Sequence, residues 1–529
     1  MFQALLVRKY LFSKIMPLLA CTGVLLCVAM VLVIWSVMGG FLDLLIRSGR
    51  TTTGDVTITW PNVGFAHYDD LIQRLEKDPL VEAAAPLIET YGLIQLPTGR
   101  QEMVLVRGVD GPSFLQVTAY EDIIWWRPIT KPLRKDVKGE DLRLDPKYTN
   151  NMNTVLQQGR TLTRIDEETG EAQPAMVMGI EVSRINAREA AGFYSPRVYR
   201  VRMPDGTMKD RDEFLPYTGE VVLSLLALDK DGNVVEQATR KVPIANEFNS
   251  GLFEADSKIV LVNITLAQQM LRMHAQQRRV QADGSDSTNS TKEAITPPTD
   301  DDGPIRSGPT KLIDEPARVT SVLIRGKGDL GDLGSAEALK ARAEKIYAQF
   351  AKDHAGQVPD EFSITIATWE DQNRTMINAV QKETGLLLFL FSFLCIVAIF
   401  LIFAIFWSMI AEKTKDIGIM RALGASKFGV AGVWIGYGLA IGIVGSLLGA
   451  VLAMLIVKNI NTIHDFLGSA FGLTIWNPEV YYFTEIPTRL DNFKVIGVVI
   501  AGILCSVIGA AIPAIRAARM DPVKALRFE

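Results

Sequence analysis

The chain has 529 residues, a formal net charge of −4 and a positive mean hydropathy. The near-neutral charge, without a basic stripe, argues against a nucleic-acid binder. Length alone suits about three soluble domains. However, the hydrophobic residues, 48% of the total, are gathered into a few long blocks. The four cysteines, Cys21, Cys27, Cys395 and Cys505, all fall inside those blocks, so no disulfide framework holds the polar region together.

Residues 1–17 carry Arg8, Lys9 and Lys14 and no acid, with Phe2, Leu5, Leu6 and Tyr10 spaced for one helical face. This predicts an amphipathic cytoplasmic helix. The apolar block that follows, within 18–46, is long enough to cross a hydrocarbon core of about 30 Å. It outlasts the ~7–15 apolar residues of a cleaved leader, so it is expected to stay as the first membrane helix. Leu18-Leu19-Ala20-Cys21 has the look of a lipoprotein signal, but too little apolar sequence precedes it, and Cys21 reads as an ordinary helix residue.

Residues 47–382 change character. Strand-like stretches at Asp55–Trp60, Gly92–Leu96, Met103–Val109, Val221–Leu228 and Val319–Ile324 mix with helical ones at His67–Asp78 and Ser335–Lys352. Asp205-Gly206 and Asp231-Gly232 read as hairpin turns. The expectation is a large α+β domain. Within it, residues 282–307 hold six acids among Ser, Thr, Gly and Pro. With almost nothing to bury, this stretch is expected to be disordered.

Three more apolar runs, 385–410, 428–457 and 493–512, bring the expected membrane helices to four. The third helix carries Gly432/Gly436, Gly438/Gly442 and Gly445/Gly449. Each is a small-xxx-small pair of the kind that lets helix backbones approach, so a packing face is expected, within the chain or across a dimer. Basic residues mark the amino terminus, the 411–427 loop (Lys413, Lys415, Arg421, Lys427) and the 513–529 tail (Arg516, Arg519, Lys524, Arg527). The connection from Asn459 to Asn492 has only Arg489, against Asp465, Glu479, Glu485 and Asp491. The positive-inside rule then puts both termini and the 411–427 loop in the cytoplasm and the α+β domain outside.

The chemistry is mostly negative. There is no phosphate-binding Gly-x-x-x-x-Gly-Lys-Ser/Thr, no Gly-x-Ser-x-Gly elbow and no metal-ligand pairing among the four histidines. Asp229-Lys230-Asp231-Gly232-Asn233 resembles the start of a calcium loop but lacks its later ligands. The apolar runs are essentially free of ionisable groups that could carry a coupling ion. Neither a catalytic nor a metal site is therefore assigned, and energy must come from elsewhere. One stretch could receive it. Between the second and third runs, Glu412, Lys413, Lys415 and Asp416 alternate in sign, Ile417, Ile419, Met420 and Leu423 follow at helix-like spacing, and Gly418 and Gly424 punctuate the segment. With Arg421, these residues predict a surface helix that offers Ile417, Ile419 and Met420 to the groove of a soluble partner. The other reading is an interfacial helix lying in lipid.

Residues 412–425, Glu-Lys-Thr-Lys-Asp-Ile-Gly-Ile-Met-Arg-Ala-Leu-Gly-Ala, resemble the signature of the permease superfamily containing FtsX, MacB and LolC/LolE. The tail from Pro513 to Glu529 is similar to that superfamily's carboxyl terminus. Asn477-Pro478-Glu479-Val480-Tyr481-Tyr482-Phe483-Thr484-Glu485-Ile486-Pro487 and Ala367-Thr368-Trp369-Glu370-Asp371 resemble the LolC/LolE branch. The resemblance implies a non-catalytic permease subunit of an ABC system in the inner membrane, working as a homo- or heterodimer with two copies of a cytoplasmic ATPase that holds the ATP and magnesium. It also implies that residues 412–427 form the coupling helix. The 47–382 domain would be a MacB-like periplasmic domain that moves by mechanotransmission. The cargo would be a lipoprotein taken from the membrane lipid, between the first span of one subunit and the second of its partner, and passed to a periplasmic carrier. The alternative is a MacB-like exporter or an FtsX-like signalling subunit. Extra sequence around 120–250 departs from the LolC/LolE pattern.

Overall fold

The computed structural model describes residues 15–97, 99–128, 152–166, 169–188, 194–196, 198–202, 206–212, 214–228, 233–281, 310–328, 333–471 and 486–526. Most of the expected amino-terminal helix, the acidic 282–307 stretch and residues 477–485 of the outer loop lie outside them. The chain divides into two compact units, one of residues 1–46 with 373–529 and one of 47–372.

Helix α1 (Ile15–Thr53) opens the chain, and its apolar part, Pro17–Leu44, is long enough to cross a membrane. The second unit follows as a mixed α/β fold. Its main sheet uses β1 (Val56–Thr59), β2 (Val81–Gln95), β3 (Gln101–Val109), β4 (Met176–Gly179), β5 (Glu220–Leu228), β6 (Val234–Phe248), β7 (Ile259–Asn263), β8 (Ser321–Gly326) and β9 (Thr365–Thr368). The order is β5-β6-β4-β7-β3-β2-β8-β1-β9, and β5 also pairs with β2. That extra ladder, Val222 opposite Gln95 through Leu225 opposite Gly92, closes the first six strands into a ring. Closure satisfies the backbone groups that an edge would leave open. The long strand β2 does double duty: its first half extends the sheet through β8, β1 and β9.

Period-two patterning explains the inside. Along β5, Val221, Leu223, Leu225 and Ala227 are buried and the residues between them are not. Val221, Leu223 and Leu225 join Ile94, Val104, Val106, Met176 and Val260 in one apolar cluster. On the other face, Val177, Leu261 and Phe248 pack with Phe114 and Val117 from α2 (Gly111–Val117). Helix α3 (Leu333–Asp353) lays Leu339, Ala343, Tyr347 and Phe350 onto Val56, Ile58 and Phe65. Within this unit, each strand and helix segment expected from the sequence has a counterpart. Val198–Arg202 pairs antiparallel with Met208–Asp212, and β5 with β6; Asp205 and the Asp231-Gly232 turn lie outside the described residues.

A polar knot is buried in this unit. Glu247 on β6 is only 1% exposed. It accepts hydrogen bonds from Trp126 Nε1 at 2.7 Å, Asn186 Nδ2 at 2.7 Å and Ser183 Oγ at 3.2 Å. Asp256 is buried beside it in sequence and accepts from the Ser250 amide at 2.7 Å, the Ser250 hydroxyl at 2.8 Å and the Gly251 amide at 3.1 Å. Burial pushes both carboxyls up to about 7 against the pull of these donors.

The first unit is completed by α4 (Arg374–Glu412), α5 (Thr414–Ala422), α6 (Lys427–Lys458), α7 (Ile460–Phe471), α8 (Asn492–Ala518) and α9 (Pro522–Leu526). With α1, the helices α4, α6 and α8 are the four, among the described residues, that are long and apolar enough to cross a membrane. Each runs further than its apolar core: α4 starts at Arg374, about three turns before the expected span. Backbone bonding continues through polar residues that hydropathy alone excludes.

Candidate functional site

The 411–427 segment is a rigid corner. Helix α4 stops at Lys413, and Thr414 is buried with its hydroxyl donating to the carbonyls of Ile410 at 3.1 Å and Ala411 at 2.9 Å. That bond ties the start of α5 to the end of α4. Lys413 and Asp416 pair at 2.8 Å on the exposed side. At the far end Gly424 takes a left-handed φ of 93°, and the Ala425 amide reaches back to the Met420 carbonyl at 3.0 Å. This is a Schellman-type stop that favours glycine. Arg421 Nη1 donates to the Ala425 carbonyl at 2.9 Å. Ser426 then caps α6, its hydroxyl accepting from the Gly429 amide at 3.0 Å.

The structure divides the residues that spacing had grouped on one exposed face. Ile417 is fully buried and packs with Ile410, Val430 and Ala517 from the ends of α4, α6 and α8. Met420 is half-buried against the same cluster, and Gly418 is buried. The reason is geometric: a two-turn helix between two spans must seat one face on their ends. What remains outward is Ile419, 49% exposed, with Leu423 at 84% and Phe428 at 91%. Ile419 and Leu423 are four apart and share a face. Glu412, Lys415 and Asp416 are exposed beside them. The outcome is an apolar face edged with charge, on a helix anchored to three spans.

The tail braces this corner. Asp521 Oδ1 accepts from the Val523 amide at 2.9 Å, and Pro522 opens α9, which packs on α5. The Arg516 guanidinium lies 3.7 Å over the Trp407 ring. It helps line a cavity of about 270 Å³ with Thr414, Pro513, Met520 and Asp521. Sequence reading did not foresee α9's packing; the cue was the Asp521-Pro522 cap.

The glycines of α6 separate into two kinds. A Cβ at Gly438 would lie 2.6 Å from the Ala510 Cβ, and one at Gly442 would lie 3.0 Å from the Ser506 Cβ, both on α8. At Gly445 and Gly449 it would meet Val24 at 2.9 Å and the Leu25 carbonyl at 2.7 Å, on α1. These four form the packing face. Gly432 and Gly436 take no part in it within the described residues of this chain: a Cβ at either meets nothing within 4 Å. Their spacing repeats the pattern, but the helix has turned to where no neighbour stands. Gly502 and Gly509 on α8 make similar close approaches, to Ser446 and to the Ile399 carbonyl, and were not singled out because seven-residue spacing falls outside the motif.

Among the described residues no group of three or more His, Cys, Asp and Glu side chains could hold a metal. Residues 388–522 match the FtsX-like permease C-terminal family. The chain is similar to the lipoprotein-releasing system transmembrane protein LolC of Xylella fastidiosa, 29% identical over 183 residues that cover 34% of this chain and 44% of that one. It is also 32% identical over 117 residues to LolE of Haemophilus influenzae, covering 22% and 28% respectively. The matched stretch spans under half the length of either relative. The periplasmic region of MacB from Actinobacillus actinomycetemcomitans superposes at a TM-score of 0.26 with 9% identity, over 64% of this chain and 98% of that one. Family signature and relatives agree: residues 388–522 match an FtsX-like permease C-terminal domain, and the chain is similar to the LolC and LolE membrane proteins.

Proposed function

We propose that this chain is the membrane subunit of an ATP-driven system that releases lipoproteins from the inner membrane towards a periplasmic carrier. The observation that carries the reading is the corner at α5. A partner pressing on Ile419, Leu423 and Phe428 would push on Ile417, and through it on the ends of α4, α6 and α8 at once. The partner is a cytoplasmic ATPase, two copies per permease dimer, and it binds the ATP and magnesium. Hydrolysis there is relayed through the spans to the 47–372 unit, which lies on the periplasmic side by the charge of the loops. That unit works on lipid-anchored cargo without forming or breaking a covalent bond. The second permease subunit is another copy or a close relative.

Depleting the protein and fractionating the membranes tests this. Outer-membrane lipoproteins are expected to accumulate in the inner membrane, and restored protein is expected to clear them. Normal sorting after depletion removes the lipoprotein reading and leaves the family's other tasks, export or signalling.

A further inference from the structure

Cys27 on α1 and Cys395 on α4 are 368 residues apart in sequence, yet their sulfurs meet at 3.0 Å. Neither is joined in a disulfide, nor is Cys505 on α8. All three line one half-open cavity of about 570 Å³ between α1, α4 and α8, whose lining is almost wholly apolar, with Trp35 and Phe493 among it. Packing alone gives no reason to bring two thiols to a shared apolar wall, because an S–H is a weak donor and any small hydrophobe fills the same space. Only about 1 Å of approach separates this contact from an S–S bond of 2.03–2.05 Å. The setting also selects the oxidant. A charged disulfide such as glutathione disulfide does not partition into an apolar cavity within membrane-spanning helices, whereas a neutral lipid-soluble molecule does.

We propose that Cys27 and Cys395 form a reversible oxidation site, closed to an intramolecular disulfide by a membrane-dissolved quinone. The two S–H bonds break and one S–S bond forms. Two electrons and two protons pass to the quinone, which leaves as the hydroquinone. The bond ties α1, which leads into residues 47–372, to α4, which leads out of them. On the permease reading above, tying these spans opposes the motion that ATP hydrolysis drives, so oxidation slows release. The bond itself does not depend on that reading.

The test uses the full chain in nanodiscs, treated with a fully substituted decyl benzoquinone, then denatured and labelled with a maleimide-polyethylene glycol. Four cysteines label before treatment. Two are expected to label after it, and all four again after dithiothreitol, with a peptide linked through Cys27 and Cys395 found by mass spectrometry. Cys505→Ser is expected to fall from three labels to one. Cys27→Ser and Cys395→Ser are each expected to keep three. Glutathione disulfide is expected to leave the wild type at four. Four labels after quinone, loss of two labels in Cys27→Ser, or a disulfide-linked dimer on a non-reducing gel would each overturn the assignment. Equal oxidation by glutathione disulfide would overturn the membrane-dissolved oxidant. Because wild type and Cys505→Ser carry the main result, misfolding of another variant does not shield the proposal.

Discussion

Ile417 in α5 and Leu423 at its C-cap are six residues apart and do opposite work. Ile417 has lost all contact with solvent, whereas Leu423 is 84% exposed. Ile417→Ala should therefore cost about 2–4 kcal/mol, the range for emptying a buried aliphatic site, and lower the thermal midpoint of the purified protein. Leu423→Ala should stay within about 0.5 kcal/mol. Spacing had shown that this segment is amphipathic, but it could not show which face is inward, because the apolar groups at 417, 419, 420 and 423 fall on both sides of the short helix and its C-cap. The choice depends on the ends of α4, α6 and α8, which come from over a hundred residues of chain. Glu247 and Asp256 were equally hidden, since nothing local marks an acid for burial. Their consequence is a pH dependence of known sign. Both carboxyls hold their protons up to about 7 in the folded protein and lose them near 4 once unfolded. The stability they give relative to the ionised state is fully present below the unfolded range, is lost as pH rises towards 7, and is gone above it. Urea unfolding of the 47–372 unit within the whole protein should thus shift to lower urea between pH 5 and pH 8, by up to about 1.4 kcal/mol per pH unit for each group. Glu247→Gln should flatten that slope.

Elements were more legible than their partners. Long apolar runs gave four spans because a bilayer dictates length and composition directly, and period-two stretches gave strands such as β3 and β5. The six-strand ring was not legible, because its closing ladder joins Gly92–Gln95 to Val222–Leu225 across more than a hundred residues. Short strands such as β4 and β7 are buried apolar runs without alternation, and period alone does not separate these from helix. The glycine pairs of α6 show the same limit. Their spacing announced a close-packed helix, while the structure decides which pairs are used. Gly442→Val places its branch against the Ser506 Cβ and Ile503 backbone and should lower the thermal midpoint by several degrees or abolish folded protein in size exclusion. Gly432→Val meets open space and should leave the monomer's midpoint unchanged. A large loss at Gly432 would contradict this division of the helix.

At the scale of the molecule, two compact units share one chain, one apolar enough to cross a membrane and one built on a closed mixed sheet. No catalytic constellation was read in the sequence, and the conspicuous outward feature of the membrane unit's α5 corner is an apolar face edged by charge. The central claim is that an ATPase takes hold there and that its push passes inward through Ile417. Ile419→Asp with Leu423→Asp puts two charges on that face while leaving the Ile417 anchor in place. Pull-down of this variant with the ATPase that co-purifies with the wild type is the most direct measurement. At least tenfold less ATPase is expected on the variant, whose thermal midpoint should match the wild type. Undiminished recovery of ATPase by a folded double variant would contradict the claim.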